Sequence, residues 1–282
     1  MNLGFPLADA HLHFWDPRTH YYPWLCDPAP IAFRYGDYQA LRRPYLPPDY
    51  RKDAEQWDVR RTVYVEAEWE PRDPAGEMDF IAGLRGEHGM PSVAVAQAWL
   101  DRDDCPAVLD AHAERSFVRG VRHKPRPGQM DDARWRTGYA RLAGLGLHFE
   151  LQTPWQELAA AARLADDFPD TTIVLNHAGL PLPGELDAWQ AAMAGLARCA
   201  NAAVKISGLG NLDAPRKARV IATLLEFFGM RRAMFASNYP VDGLRASYDA
   251  IYGLFDDATR GLSSAVRRDL FHDNAVRIYR ME

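Results

Sequence analysis

The run Leu7-Ala8-Asp9-Ala10-His11-Leu12-His13-Phe14-Trp15 decides the fold, because it predicts a buried β-strand that carries a pair of histidines. Alternate residues of a strand share a face, so Asp9, His11 and His13 are expected to point the same way. If the strand belongs to a parallel barrel, its C-terminal end opens at the site face, where two imidazoles can hold a metal or grip an oxyanion. An isolated pair of this kind more often forms hydrogen bonds to backbone groups in a packed strand, so the evidence for a functional site must come from the rest of the chain.

Seven further short apolar runs follow at nearly regular intervals. From the second run to the eighth, successive starts lie 25 to 31 residues apart, which is the length of a strand, a helix and two short loops. Helix-start signals lie between them, as in Thr153-Pro154-Trp155-Gln156. Eight such units predict a closed barrel. The strands are expected to begin near Leu7, Thr62, Val93, Val118, Leu147, Thr172, Ala203 and Ala233.

Composition indicates an ordinary globular protein. The chain has 282 residues, of which 48% are hydrophobic, and a formal net charge of -5. Its Lys and Arg residues are scattered, so neither a nucleic-acid nor a membrane partner is expected. Three widely separated cysteines and the lack of an N-terminal signal pattern favour the cytoplasm. We therefore expect a small-molecule substrate, and the sequence leaves a homo-oligomer open.

A long loop is predicted after the first strand, because 54 residues separate Ala8 from Thr62. The stretch from Trp15 to Leu46 contains eight aromatic residues and five prolines, and so many rings favour an ordered segment over a disordered linker. One interpretation places this segment over the site mouth, where its rings line a pocket. The other has it plug one end of the barrel or pack against a second subunit. The rings concerned are Trp15, Tyr21, Tyr22 and Trp24.

Polar side chains mark the end of each predicted strand. In a (β/α)₈ barrel these ends converge, so residues far apart in the chain can share one polar cavity. In chain order the polar residues are His11 and His13, Glu66 and Glu68, Gln97, Arg122 and His123, Glu150 and Gln152, Asn176 and His177, Lys205 and Ser207, and Ser237 and Asn238.

Four short motifs occur in order along the chain, and together they resemble the amidohydrolase superfamily. The motifs are Asp9-Ala-His11-Leu-His13-Phe-Trp15, Arg119-Gly-Val-Arg122-His123, Asn176-His177-Ala-Gly179 and Phe235-Ala-Ser-Asn238-Tyr-Pro240. More narrowly, the chain is similar to the amidohydrolase-2 group, which contains sugar-acid lactonases such as L-fuconolactonase and L-rhamnonolactonase, pyrone-dicarboxylate lactonase, and decarboxylases. The resemblance implies a distorted TIM barrel, one domain over residues 1–282, and hydrolysis of a lactone or a similar acid derivative.

The resemblance also implies that His11 and His13 bind a metal ion or the substrate, with His177 facing them from the sixth strand. Neutral imidazoles suit one divalent ion such as zinc or manganese, and action without a metal is equally open. The chain departs from the family pattern at Asn238, where many relatives carry an aspartate that binds the metal or takes a proton from the attacking water. An amide cannot be that base, although it can orient water or a carbonyl.

Three explanations of the missing carboxylate are open. First, another acid replaces it, and Glu66 is the catalytic candidate among Glu66, Glu68, Glu150 and Asp242. Second, a metal-bound hydroxide needs little help from a base, because zinc lowers the pKa of its bound water to about 7. Third, activity is weak or lost. We expect a substitute acid.

Residues after the fourth strand are predicted to bind the substrate. Arg122 and His123 can hold a carboxylate or a polyhydroxy acid through charge-assisted hydrogen bonds. The next basic residue, Lys124, begins a proline-containing extended run that favours exposure, so it is left out. The predicted binding set is completed by Trp15, Gln152 and Asp242.

The function expected from these residues is that of a hydrolase that opens a small sugar-derived or carboxylated lactone by water attack on its carbonyl. His11, His13 and His177 would polarise that carbonyl, directly or through a metal, while Asn238 positions the water or the carbonyl. A metal-dependent decarboxylase of the same superfamily is the alternative among enzymes. A non-catalytic barrel that binds sugar acids is the alternative outside them.

Overall fold

Eight parallel strands form the centre of the computed structural model, which describes residues 3–281. Residues 1, 2 and 282, at the ends of the expected domain, lie outside the described residues. The strands pair in chain order, each in parallel with the next. Their bounds are β1 Leu7–Leu12, β2 Val59–Val65, β3 Val93–Gln97, β4 Val118–His123, β5 His148–Leu151, β6 Ile173–Leu175, β7 Ala202–Ile206 and β8 Ala233–Phe235.

Helices connect the strands: among residues 3–281, one or two α-helices follow each strand from β1 to β7, and three follow β8. The longest helix of the described residues, Ala214–Arg232, loses helical geometry near its end, where Gly229 has a φ of +66°. The bounds are α1 Pro23–Cys26, α2 Pro47–Asp53, α3 Gly76–His88, α4 Cys105–Ala113, α5 Ala133–Tyr139, α6 Arg141–Gly144, α7 Leu158–Asp167, α8 Leu186–Ala197, α9 Ala214–Arg232, α10 Tyr248–Thr259, α11 Ser264–Arg268 and α12 Asn274–Ile278.

The sheet closes on itself between β1 and the residues that follow β8. The backbone N–H of Asn238 donates to the carbonyl of His11, and that of His13 donates to the carbonyl of Tyr239, each at 2.8 Å. These contacts confirm the predicted (β/α)₈ barrel. The largest difference between a predicted and an observed strand start is three residues, because β2 begins at Val59 rather than Thr62.

A bulge in β1 changes the direction of its side chains. Beyond Asp9, β1 advances by three residues while β2 advances by two, which is the pattern of a β-bulge. The Asp9 carboxylate therefore points to the helices, where its Oδ2 accepts hydrogen bonds from the hydroxyls of Tyr50 in α2 (2.9 Å) and Tyr248 in α10 (3.3 Å). The prediction that Asp9 shares a face with the two histidines is wrong, because the extra residue reverses the alternation before His11 is reached.

The barrel interior combines small apolar side chains with a buried ion pair. Lys205 Nζ lies 2.9 Å from Glu150 Oε2, and both side chains are fully buried. The hydroxyl of Tyr279 and the amide of Asn176 also donate to this carboxylate. Tyr279 follows α12 and packs against strand residues of the interior, so the C-terminal segment contributes to the barrel core. Hydrogen bonds from several elements thus satisfy the buried charge.

Most of the aromatic rings in the segment after β1 are buried. Trp15 and Trp24 line the cavity at the strand ends, which supports the interpretation of this segment as a cover for the site. Tyr22 is buried instead against Trp69, with ring centroids 5.2 Å apart, and Tyr21 is exposed. The cover is therefore built by two of the four predicted rings.

Every helix among residues 3–281 is too short or too polar to cross a lipid bilayer.

Candidate active site

A cavity of about 230 Å³ opens at the C-terminal ends of the strands, beneath the segment that follows β1. This is the end of a (β/α)₈ barrel at which active sites form. Six predicted site residues line it, namely His13, Trp15, Arg122, Gln152, His177 and Asn238. The other lining residues are Trp24, Ile31, Ala32, Phe33, Arg34, Ala67, Glu68, Lys124 and Val241.

Three imidazoles are packed together at this cavity. The Nε2 atoms of His11 and His13 lie 3.2 Å apart, and the ring centroids of His11 and His177 are 4.6 Å apart. His11 is fully buried, whereas the other two line the cavity. The structure therefore brings the predicted histidines together from β1 and from the turn after β6.

Hydrogen bonds fix the position of the proton on two of these rings. His13 Nδ1 lies 2.7 Å from the carbonyl of Val65, which can only accept, so this nitrogen carries the proton. The Lys205 ammonium lies 3.3 Å from Nδ1 of His11 and can only donate, so His11 carries its proton on Nε2. His11 Nε2 then donates to His13 Nε2, and the three contacts form one consistent chain.

Burial keeps the imidazoles neutral. Desolvation, followed by the charge of Arg122, lowers the pKa of His13 to about 3. The pKa values of His11 and His177 fall well below their usual range, again first through desolvation and then through the charges of Lys205 and Arg34 respectively. At neutral pH these rings are therefore uncharged.

Asn238 presents an unused hydrogen-bond acceptor. Its backbone has a φ of +54°, which asparagine adopts more readily than most residues. Its Nδ2 donates to Asp242 Oδ1 at 2.7 Å, and its Oδ1, although the Asn238 side chain lies close to His13, is buried without a hydrogen bond of normal geometry among residues 3–281. Asp242 also accepts from the hydroxyl of Tyr35 (2.8 Å) and the N–H of Gly208 (2.9 Å). The amide oxygen is thus left for water or a ligand.

Arg34 offers a matching unused donor. It lies in the segment after β1, and its Nη2 donates to the carbonyl of Gly208 at 2.5 Å. Its Nη1 is buried and has no partner in the described part of the chain. A Cβ on Gly208, whose φ is +68°, would come within 2.7 Å of His177 Cβ and 2.8 Å of Arg34 Nη1. Only glycine fits between them, and Arg34 can donate to a carbonyl or carboxylate.

Arg122 is held by other side chains of the site. Its Nε and Nη2 donate to Glu66, at 2.5 Å to Oε1 and 2.6 Å to the backbone carbonyl, and its Nη1 donates to Gln152 Oε1 at 3.1 Å. Although burial opposes it, the charge of Arg122 lowers the pKa of Glu66. Glu66 is thus bound to Arg122 and does not line the cavity, so it is not placed to take a proton there.

The other proposed substitute acids occupy different places. Glu150 is in the barrel interior with Lys205, and Asp242 is buried behind Asn238. Glu68 lines the cavity and is ion-paired with Lys124, the residue that the sequence analysis left out. The structure therefore brings Glu68 to the cavity and places the other three carboxylates elsewhere.

His123 also lies outside this cavity. It is buried at the end of β4 and lines a second, adjoining cavity. Arg34 is the functional group that the sequence analysis missed. No periodic pattern surrounds it, and the one signal was its position in a segment whose rings favour burial.

The residues present do not fit a bound metal ion while Lys205 is charged. Among residues 3–281, no three His, Cys, Asp or Glu side chains are arranged to hold one. A metal on Nε2 of His11 would move the proton to Nδ1, where it would face the Lys205 ammonium instead of an acceptor. Desolvation lowers the pKa of Lys205 to about 8, so this ammonium is mostly charged at pH 7.

Comparisons with known proteins cover nearly the whole chain. The amidohydrolase family model matches residues 8–281. The uncharacterized protein y4mH of Sinorhizobium fredii is 37% identical over 98% of both chains. An L-fucono-1,5-lactonase of Burkholderia multivorans is 27% identical over 98% of this chain and 97% of its own. A crystal structure of a B. multivorans amidohydrolase with bound zinc is 25% identical and has a TM-score of 0.83. The match covers 99% of this chain and 100% of that chain.

Proposed function

Because the chain belongs to the amidohydrolase family, we propose that it is a hydrolase that opens a sugar-acid lactone of the L-fucono-1,5-lactone type. The observation that carries this proposal is the pairing of an unused donor, Nη1 of Arg34, with an unused acceptor, Oδ1 of Asn238, in a cavity that contains a neutral imidazole. Hydrolysis of a lactone needs these three elements, which are a donor for the carbonyl oxygen, a site for water, and a base. The two L-fucono-1,5-lactonases among the relatives support the substrate class.

In the proposed reaction, Nη1 of Arg34 donates to the lactone carbonyl oxygen and stabilises the charge that develops there. Oδ1 of Asn238 accepts a hydrogen bond from the attacking water. His177 takes the water proton on Nε2 while its Nδ1, 2.9 Å from Ser207 Oγ, donates to that hydroxyl. When the tetrahedral intermediate collapses, the ring C–O bond breaks and His177 returns the proton to the leaving alkoxide. One lactone and one water thus give one hydroxy acid.

The other side chains hold the substrate or the machinery. Arg122 and Gln152 line the cavity and can bind the hydroxyl groups of the sugar, while Trp15 supplies an apolar wall. His11 positions His13, because its N–H donates to that ring. Lys205 in turn fixes the tautomer of His11. No step of this reaction requires a metal ion.

The test is the release of acid from a panel of sugar lactones, followed with a pH indicator. The kcat/KM of the His177→Ala variant is expected to be about 10²- to 10⁴-fold lower than that of wild type, which is the rate contribution typical of a general base. Its melting temperature should be unchanged. His88→Ala, at the end of α3 and away from the cavity, is the matched control and should keep full activity. Equal activity of His177→Ala and wild type would overturn the proposal. Release of carbon dioxide without lactone opening would replace it with decarboxylation.

A further inference from the structure

A second cavity, of about 560 Å³, adjoins the candidate active site. Both cavities are lined by Trp24, Ile31, Glu68, Arg122 and Lys124, so they lie side by side with these residues between them. The first cavity alone is smaller than the range of about 300 to 1,000 Å³ that is usual for small-molecule sites, whereas the two together fall inside it. A ligand larger than one sugar unit can therefore extend from the first into the second.

Buried polar atoms in the second cavity have no protein partner. The side chains of Gln97 and Trp69 are only 8% and 6% exposed, yet Gln97 Oε1 and Trp69 Nε1 have no hydrogen bond among residues 3–281. Both residues line the cavity. Unpaired buried polar groups are costly, and an acceptor and a donor in the same cavity indicate a ligand that offers both kinds of group.

His123 adds a second donor to this cavity. Its Nδ1 accepts hydrogen bonds from the indole N–H of Trp135 at 3.0 Å and from the N–H of Leu100 at 3.3 Å. The proton of this ring is therefore on Nε2, which is left available to a ligand. Desolvation lowers the pKa of His123 to about 4, so the ring is neutral.

The charged groups around the second cavity are already paired. Glu66 is bound to Arg122, and Glu68 is bound to Lys124. Asp27, the remaining carboxylate of the lining, accepts a hydrogen bond from the hydroxyl of Tyr21 at 2.8 Å. The remaining hydrogen-bonding groups of the cavity are neutral and include the Gln97 acceptor and the donors of Trp69 and His123, together with apolar indole surface. This combination suits a polyhydroxylated ring better than a second acid group.

We propose that the second cavity binds a neutral sugar ring attached to the lactone, so that the site accepts glycosylated aldonolactones and binds them more tightly than single-unit lactones. The inference rests on the proposed function for the identity of the reacting end. The lactone occupies the first cavity, and the glycosyl unit passes the Glu68 and Lys124 side chains to reach Gln97, Trp69 and His123.

Binding of product acids tests the inference without using turnover. Isothermal titration calorimetry would compare single-unit aldonates, gluconate and L-fuconate, with the two-unit aldonates lactobionate, cellobionate and maltobionate. At least one two-unit acid is expected to bind tenfold more tightly than either single-unit acid. Gln97→Leu and Trp69→Phe should each remove roughly 2- to 10-fold of that gain, as expected for one lost hydrogen bond, and leave single-unit binding unchanged.

Trp57→Phe is the matched control, because Trp57 lines neither cavity and donates to Asp249 instead. Two-unit acids that bind no more tightly than single-unit acids would overturn the inference, as would variants that weaken both classes equally. If lactones are opened but the second unit adds no affinity, the inference fails and the proposed function stands. If no lactone is opened but two-unit binding depends on Gln97, the proposed function fails and the sugar site stands.

Discussion

Asn238 shows how this site differs at a single residue from the family pattern that it resembles. Its Nδ2 hydrogen bond to Asp242 makes the amide part of a rigid pair, with the carboxylate behind it and the amide oxygen facing the cavity. Burial raises the pKa of Asp242, although Arg34 and the Asn238 amide oppose this effect. A carboxylate is therefore still present near the end of β8, but it is separated from the cavity by one side chain.

Restoring an aspartate at this position should harm the protein. Asn238→Asp places two carboxyl groups in contact, so the pair must retain a proton and its folded-state pKa rises above the unfolded value. The stability that depends on this proton is present at low pH and is lost as pH rises. We expect the variant to be less stable than wild type by about 1 to 3 kcal/mol at pH 8, and by less at pH 5, in urea unfolding. An equal difference at both pH values would contradict this arrangement.

The pH profile of turnover should reflect the burial of His177. A general base must be neutral, and desolvation together with Arg34 lowers the pKa of His177 well below its usual 6.5. The value of kcat/KM should therefore stay constant from pH 7 to below pH 6 and decline only at lower pH. An acid limb centred at or above pH 6.5, measured on a reactive sugar lactone, would show that a different group is the base.

Sequence reasoning found the histidines but not their partners. The motifs that contain His11, His13 and His177 lie at the ends of strands, and these ends converge in a closed barrel. The proximity of the three rings therefore follows from the fold. Arg34 belongs to an irregular segment without periodicity, and its place depends on tertiary packing against Gly208. The unpartnered atoms that carry the proposals arise from such packing, which the spacing of residues does not encode.

At the scale of elements, the strands were predictable and the bulge in β1 was not. A single extra residue in β1 has no signal in the run that contains Asp9, because all residues of that strand are buried. The alternation rule thus assigned Asp9 to the wrong face. A hydrogen bond between α4 and β3 was likewise not predictable from the spacing of residues. In it, Nε2 of His112 in α4 lies 2.9 Å from the carbonyl oxygen of Gln97 at the end of β3.

His112 should make the fold sensitive to acid. Desolvation lowers its pKa to about 4, although the bond to Gln97 opposes this. The unfolded chain binds a proton near pH 6.5 and the folded chain does not, so stability falls as pH decreases between 6.5 and 4. Relative to His112→Gln, the unfolding free energy of wild type should fall by up to about 1.4 kcal/mol for each unit by which pH decreases over this window, as measured by urea unfolding. A constant difference between the two proteins would contradict the buried, neutral state.

At the scale of the whole molecule, the barrel joins the active site to a charged interior. Lys205 contacts both His11 and Glu150, and Glu150 contacts the C-terminal Tyr279. The regular spacing of eight strands predicts that such residues share one interior. It does not predict that the lysine points to a histidine, nor that two cavities form side by side above the strands.

Breaking the interior ion pair should be more damaging than replacing it. Lys205→Met leaves the Glu150 charge buried without its partner and is expected to cost about 3 to 5 kcal/mol in unfolding free energy. The double variant Lys205→Met with Glu150→Gln removes both charges and should recover part of that loss. A double variant as unstable as the sum of the two single variants would show that the pair is not coupled.

The most direct test of the account is lactone opening by protein freed of metal. Acid release from L-fucono-1,5-lactone would be measured before and after exhaustive chelation, with metal content determined on the same samples and His177→Ala run in parallel. We expect turnover that chelation leaves unchanged and that His177→Ala lacks. Turnover that disappears on chelation and returns with stoichiometric zinc would contradict it, and so would wild-type rates no higher than those of His177→Ala.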